Sequence, residues 1–252
     1  MPGFRNRKAL VNPELRRRGI YILPNLFTTA ALFAGFYAIV QAMTGRFEHA
    51  AVAIFIAMIL DGLDGRVARL TRTQSAFGAE YDSLSDMVSF GVAPALVMFE
   101  WAMKGMGKWG WIAAFIYCVG AALRLARFNT NIEVIDKRFF QGLPSPAAAA
   151  LIAGFVWVLM DLNYTGEEVR WYAWALTIFA GVTMVSNFRY YSGKDINLRR
   201  SVPFIAVLAI VLFFVLVSSY PPGILFALFL CYAFSGYVMA VLDWVRRRKT
   251  PA

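Results

Sequence analysis

The sequence predicts an all-α fold, a polytopic membrane bundle of about eight transmembrane helices, and three observations predict it. The chain of 252 residues is 60% hydrophobic and only 16% charged, too apolar for an ordinary soluble domain. Its apolar residues fall into eight runs, each near the ~20 residues that cross ~30 Å of hydrocarbon. The basic residues then sort by side. If the N-terminus is cytoplasmic, 21 of the 25 Lys and Arg face the cytoplasm, leaving Arg46, Lys104, Lys108 and Arg170 outside. That asymmetry is the positive-inside pattern for eight spans with both ends cytoplasmic. The net charge of +10 is therefore explained by topology, which removes nucleic acid as the expected partner.

Taken in order, residues 1–20 form a basic cytoplasmic segment with the pattern of a short surface amphipathic helix, starting near Asn12-Pro13, where proline suits a first turn. Pro24-Asn25 opens the first apolar run, about 22–43, and the second runs about 48–70. Further runs fall at about 82–103, 109–128, 144–161, 169–188, 201–219 and 222–245. Between the fourth and fifth, Pro144 and Pro146 break the chain before the Ala147–Ala150 run restarts a helix. The loop 189–200 is basic and aromatic-flanked, and the last two spans, without charge until Asp243, read as lipid-facing bulk. No cleaved signal peptide is expected, because the basic N-terminus lacks a short apolar segment ending in a small-residue site. This divides the chain into the N-terminal segment 1–20, a membrane core 21–190, and a C-terminal part 191–252 of loop, two helices and basic tail.

The chemistry concentrates at residues 61–86. The pattern is Asp61-x2-Asp64-Gly65-x2-Ala68-Arg69-x8-Gly78-x3-Asp82-x3-Asp86. Asp61, Asp64, Gly65 and Ala68 share one helix face, and Asp82 and Asp86 share a face of the next helix. A charged group near hydrocarbon costs at least ~2.5–3.5 kcal/mol at mid-membrane, so four carboxylates call for cationic compensation. Oxygen-rich clusters suit Mg²⁺ or Mn²⁺, and two such ions can clamp a diphosphate. Gly65, Gly78 and Ala68 leave room for a bulky group against the backbone, Arg69 can hold a phosphate oxygen, and Ser75 can offer a hydroxyl.

This eight-position pattern is complete here and resembles the signature of the CDP-alcohol phosphotransferases, membrane enzymes that exchange CMP for an alcohol. The resemblance implies that Asp61 and Asp82 bridge two metals, that Asp64 binds one and Asp86 the other, and that Asp86 takes the proton of the attacking hydroxyl. It implies that Gly65, Arg69, Ser75 and Gly78 hold the CDP moiety, and it suggests a six-helix core that is commonly a homodimer. The stretch Gly120 to Asn129, followed by Gln141-Gly142-Leu143-Pro144-Ser145-Pro146, resembles the phosphatidylserine synthase branch of that family. On that reading the substrates are CDP-diacylglycerol and L-serine, the active site faces the cytoplasm, and the protein sits in a bacterial inner membrane. Arg124, Arg127, Asn129 and Gln141 become candidates for holding the acceptor, and Asn25 a candidate for reaching the nucleotide.

Ordinary roles stand beside these. Arg124 and Arg127 fit snorkelling topology signals equally well, Asn25 fits a capping residue, and the prolines fit a simple break. Their charge suits a glycerol 3-phosphate acceptor as well as serine. A transporter would place carboxylates along an ion path, but no charge sits at the midplane of the other spans. A lipid-binding scaffold would not need the full carboxylate set. His49, the one histidine, excludes histidine-built zinc and Ser-His-Asp chemistry, and Cys118 and Cys231 read as packing residues.

Overall fold

The structure, a computed structural model, describes residues 13–71, 75–130, 139–192 and 204–249. The start of the expected surface helix, the basic pair Lys137-Arg138 and most of the 189–200 loop lie outside the described residues. Apart from one short two-stranded ribbon, the described elements are helical, in eight rods. They are α1 (Pro13–Met43), α2 (Phe47–Thr71), a rod over 76–106, α5 (Lys108–Thr130), α6 (Ser145–Asp161), α7 (Gly166–Val185), α8 (Phe204–Ser219) and α9 (Pro221–Lys249). The third rod comprises α3 (Ala76–Asp86), a π-helical turn Met87–Val92, α4 (Ala93–Met98), a second π turn Phe99–Met103 and a closing 3₁₀ turn. The chain is thus a helical membrane bundle. By length and composition, Asn25–Met43, Ala76–Met106, Lys108–Thr130 and Pro221–Val245 are each long and apolar enough to cross a membrane. The apolar helices Ser145–Asp161 and Val207–Ser219 are shorter.

Two differences from the sequence reading concern the rods themselves. The expected surface segment and the first span are one continuous helix, α1, which begins at Pro13 and carries Pro24 in its interior. The third rod is wound wide at Met87–Val92, directly after Asp86. π turns widen the ladder by one residue and often occur at functional sites. Here the widened turn presents the Phe90 carbonyl to the buried Tyr117 hydroxyl, which donates to it at 3.0 Å.

Packing explains the alanines. α6 is buried nearly all round, with Ala147 to Ile152 inaccessible or almost so, and it lies against α2, α4, α7 and α9. Small residues let helix backbones approach closely where lipid gives no hydrophobic drive to associate. Gly35 shows how close: a Cβ there would lie 2.7 Å from the Ser89 Cα, so α1 touches the π turn backbone to backbone. Ser85 and Ser89 then donate to the carbonyls of Thr28 and Ala31, each at 3.1 Å, binding the third rod to α1.

The 144–146 break is as expected: Pro144 is the N-cap of α6 and Pro146 lies in its first turn. Before it, β1 (Phe139–Gln141) pairs antiparallel with β2 (Arg189–Tyr191), matching Gln141 to Arg189. Gly142 leaves this ribbon with φ +75 and no room for a Cβ against the Met184 carbonyl, a place only glycine fills without strain. α9 is more than lipid-facing bulk. Tyr190 donates to the Ala233 carbonyl at 2.8 Å, Tyr232 to the Tyr191 carbonyl at 3.1 Å, and Tyr237 shares a hydrogen bond with Thr183 at 2.7 Å.

Candidate functional site: a carboxylate cluster between the second and third rods

α2 and α3 bring the aspartates together as their spacing implies. One carboxylate oxygen from each of Asp61, Asp64 and Asp82 lies within 4.8 Å of the others. Asp86 stands against Asp61, and Asp82 against Asp64, so each aspartate of α2 faces one of α3. Two like charges 4 Å apart repel by roughly 4 kcal/mol at an effective dielectric of 20. Four carboxylates gathered at this range are relieved by shared protons or by positive charge among them.

The remaining surroundings fit a divalent cation. Asp82 has a buried carboxylate oxygen with no hydrogen-bond partner in the protein, and a buried unsatisfied acceptor is costly. Asp64 is oriented from α1, where the buried Thr28 hydroxyl donates to its Oδ2 at 2.7 Å. An all-oxygen donor set with one arm fixed and one oxygen unsatisfied suits Mg²⁺ or Mn²⁺ rather than a thiolate-seeking or imidazole-seeking metal.

The residues expected around the nucleotide sit at the rim of this cluster. A Cβ added at Gly65 would meet nothing within 4 Å, so that face of α2 is open. Ser75 is the N-cap of α3 and accepts from the Gly78 amide at 3.0 Å, which leaves its own proton free to donate. Asn25 reaches the same point from α1: a Cβ at Gly78 would lie 3.5 Å from its side-chain oxygen and 3.1 Å from Ser75 Oγ. Arg69 is exposed, with its Nε on the Gly65 carbonyl at 2.8 Å, and Ala68 lies half-buried beside it.

The four acceptor candidates separate. Arg124 donates from Nη1 to Ser145 Oγ at 2.7 Å, and its Nε is buried without a partner. It lies within electrostatic reach of Asp86 and of Tyr232 on α9. Asn129 donates to Ser83 at 3.0 Å, one residue from Asp82. The hydrogen bonds of Arg127 go elsewhere, to the Val185 carbonyl at 2.8 Å and to Ser186 and Asn187 at 3.4 and 3.3 Å. A guanidinium there satisfies the open carbonyls at the end of α7 and suits its dipole. Gln141 is exposed on β1 opposite Arg189.

Three residues of the site were given no role of their own in the sequence reading. Thr28 was legible in principle, since it lies one turn from Asn25 on α1. Ser145 was hidden between two prolines, and Tyr232 carried no local signal. Glu100 pairs with Lys104 at 2.6 Å in the last turns of the third rod, away from the cluster.

Comparison with known proteins converges on the same region. Residues 21–185 match the model of the CDP-alcohol phosphatidyltransferase family. The chain is 40% identical over 181 residues to a CDP-diacylglycerol–serine O-phosphatidyltransferase of Helicobacter pylori, covering 71% of this chain and 75% of that one. A Mycobacterium leprae protein of the same name is 32% identical over 216 residues, or 82% and 72% of the two chains. One from Saccharomyces cerevisiae is 40% identical over 139 residues, half of each chain. With the complete carboxylate pattern seated in a helical membrane bundle, this chain belongs to the CDP-alcohol phosphatidyltransferase family.

Proposed function

We propose that this integral membrane enzyme transfers the phosphatidyl group of CDP-diacylglycerol to the hydroxyl of L-serine, releasing phosphatidylserine and CMP. The observation that carries the reading is the carboxylate cluster, three ligand oxygens from two helices within 4.8 Å of one another. The names of the relatives support CDP-diacylglycerol as donor and serine as acceptor.

Asp61, Asp64, Asp82 and Asp86 would hold two divalent cations, Mg²⁺ or Mn²⁺. When bound, these neutralise the donor diphosphate and polarise the phosphorus under attack. The chain's own residues do the rest. Thr28 fixes the Asp64 carboxylate, and Asn25, Ser75, Gly78 and Gly65 shape the rim that receives the cytidine nucleotide, with Arg69 beside it. Asp86 accepts the serine hydroxyl proton while the serine oxygen bonds to the phosphorus bearing diacylglycerol. The bond from that phosphorus to the bridging oxygen breaks, and CMP leaves with the electron pair. Arg124, held by Ser145 with its Nε unsatisfied, offers the cation for the serine carboxylate. The site faces the cytoplasm with both termini on that side, in a bacterial inner membrane, and the working unit is a homodimer.

The test is release of CMP from CDP-diacylglycerol by the purified protein with serine, glycerol 3-phosphate, inositol 1-phosphate and choline as separate acceptors. Serine alone should support rapid release, and only with Mg²⁺ or Mn²⁺ present. Turnover with glycerol 3-phosphate and none with serine replaces the acceptor and keeps the chemistry. No release with any of them removes the reading.

A further inference from the structure

A cavity of about 310 Å³ lies between the chain entering β2 and the C-terminal third of α9. Asn187, Phe188 and Arg189 line it from one side, and Ala240, Asp243 and Trp244 from the other. It sits at the end of the bundle that carries the carboxylates. Arg127 of α5 caps α7 just before this strand, and Asn129, two residues on, bonds to Ser83 beside Asp82. The cavity thus presents a cation and an anion together, yet among the described residues neither Arg189 nor Asp243 forms an ion pair. The Asn187 side-chain oxygen accepts from Arg127 at 3.3 Å, which leaves its amide hydrogens for a guest. Trp244, half-exposed, adds an aromatic face.

We propose that this cavity binds the headgroup of a zwitterionic phospholipid that carries a primary ammonium. The phosphate lies on Arg189 and Asn187, and the ammonium between Asp243 and the Trp244 ring. A guanidinium matches phosphate oxygens, a carboxylate accepts from an ammonium, and an indole face attracts it. The depth is right for a headgroup. Trp244 is in the last turn of Pro221–Val245, the stretch of α9 long and apolar enough to cross a membrane, and tryptophan favours that interface. An apolar stripe continues from it: Phe234, Val238 and Val241 are exposed and follow i, i+4, i+7. From Trp244 back to Phe234 is about 15 Å along a helix, one leaflet of ~30 Å of hydrocarbon. A purely anionic headgroup would leave Asp243 without a partner, a second carboxylate on the headgroup would face Asp243, and a choline has no N–H to donate to it. The site uses none of the carboxylate cluster, so it does not depend on the transfer reading above.

The experiment is native mass spectrometry of the full-length protein in detergent, titrated with dioleoyl phosphatidylethanolamine, phosphatidylcholine, phosphatidylglycerol and phosphatidylserine in turn. Phosphatidylethanolamine should bind about tenfold tighter than each of the other three. Arg189→Gln and Asp243→Asn should each bring it to within about twofold of phosphatidylcholine. Equal binding of all four lipids, tighter binding of any of the other three, or a preference that survives either substitution overturns the proposal. Neither side chain has an ion pair to lose, so both variants should keep the wild-type unfolding temperature. If a variant does not fold, photolabelling of the wild-type protein in phosphatidylcholine nanodiscs decides. A phosphatidylethanolamine with a diazirine close to the glycerol end of one chain should mark the peptide holding residues 238–244. Excess unlabelled phosphatidylethanolamine should suppress that label and excess phosphatidylglycerol should not. Labelling elsewhere, or equal suppression by both lipids, overturns the proposal.

Discussion

The Thr28 hydroxyl donates to Asp64 Oδ2 at 2.7 Å across the seam between α1 and α2. It is the contact by which the first helix, which contributes no carboxylate to the cluster, sets the direction of one that the second helix brings. A buried hydrogen bond to a charged acceptor is worth ~1.5–3 kcal/mol. Thr28→Val, which keeps the shape and removes the donor, should therefore lower the unfolding temperature, less so with Mg²⁺ bound, and lower kcat/KM by roughly tenfold or more. A kcat/KM within twofold of wild type would show that Asp64 is held without it.

Asp61→Asn and Asp82→Asn each remove one charge from the cluster. Either should abolish turnover while the protein stays folded, and EDTA should do the same to the wild-type protein, reversed by Mg²⁺ or Mn²⁺. The measure is CMP release at saturating cation. Retention of more than about a tenth of the rate, a loss under ~1.4 kcal/mol, would rule out a shared two-cation clamp.

Gly65 has open space where a Cβ would go. Gly65→Leu should therefore fold normally and raise the KM for CDP-diacylglycerol, to the point of no detectable rate if the side chain fills the nucleotide space. Isothermal titration with CDP in the presence of Mg²⁺ checks this directly, and unchanged binding moves the nucleotide to another face.

Arg124 and Arg127 stand one turn apart on α5, yet their partners predict opposite outcomes. Arg124→Lys keeps a charge beside Asp86 and loses the fork, so it should raise the KM for serine about tenfold or more and leave that for the donor nearly unchanged. Arg127→Lys loses the cap on α7 and should lower the unfolding temperature with little change in the serine KM. Equal effects of the two on serine would mean that the acceptor is held by the end of α5 as a whole.

Topology is tested by single cysteines in a background lacking Cys118 and Cys231. Glu167, exposed at the start of α7, and Lys194 should react with a membrane-impermeant maleimide from opposite sides, outside and inside respectively. Reaction from the same side would remove one crossing between them.

The sequence by itself determined the helical membrane class, the run of spans and the composition of the carboxylate set. Hydropathy and the i, i+3, i+4 spacing of Asp61, Asp64, Asp82 and Asp86 are local properties, and a helix displays them whatever it packs against. The Pro144–Pro146 break was legible for the same reason. Only the tertiary structure decided what lies between distant segments. It set Thr28 on Asp64, put Ser145 under Arg124, sent Arg127 to the end of α7, and brought α9 tyrosines onto the β1–β2 ribbon. It also placed the wide turn after Asp86, where Gly35 lets α1 touch Ser89. Arg124 and Arg127 look alike on their own helix. Their difference arises because a guanidinium takes whichever acceptors packing brings within reach, and those acceptors lie 21 residues away for Arg124 and 58 to 60 for Arg127.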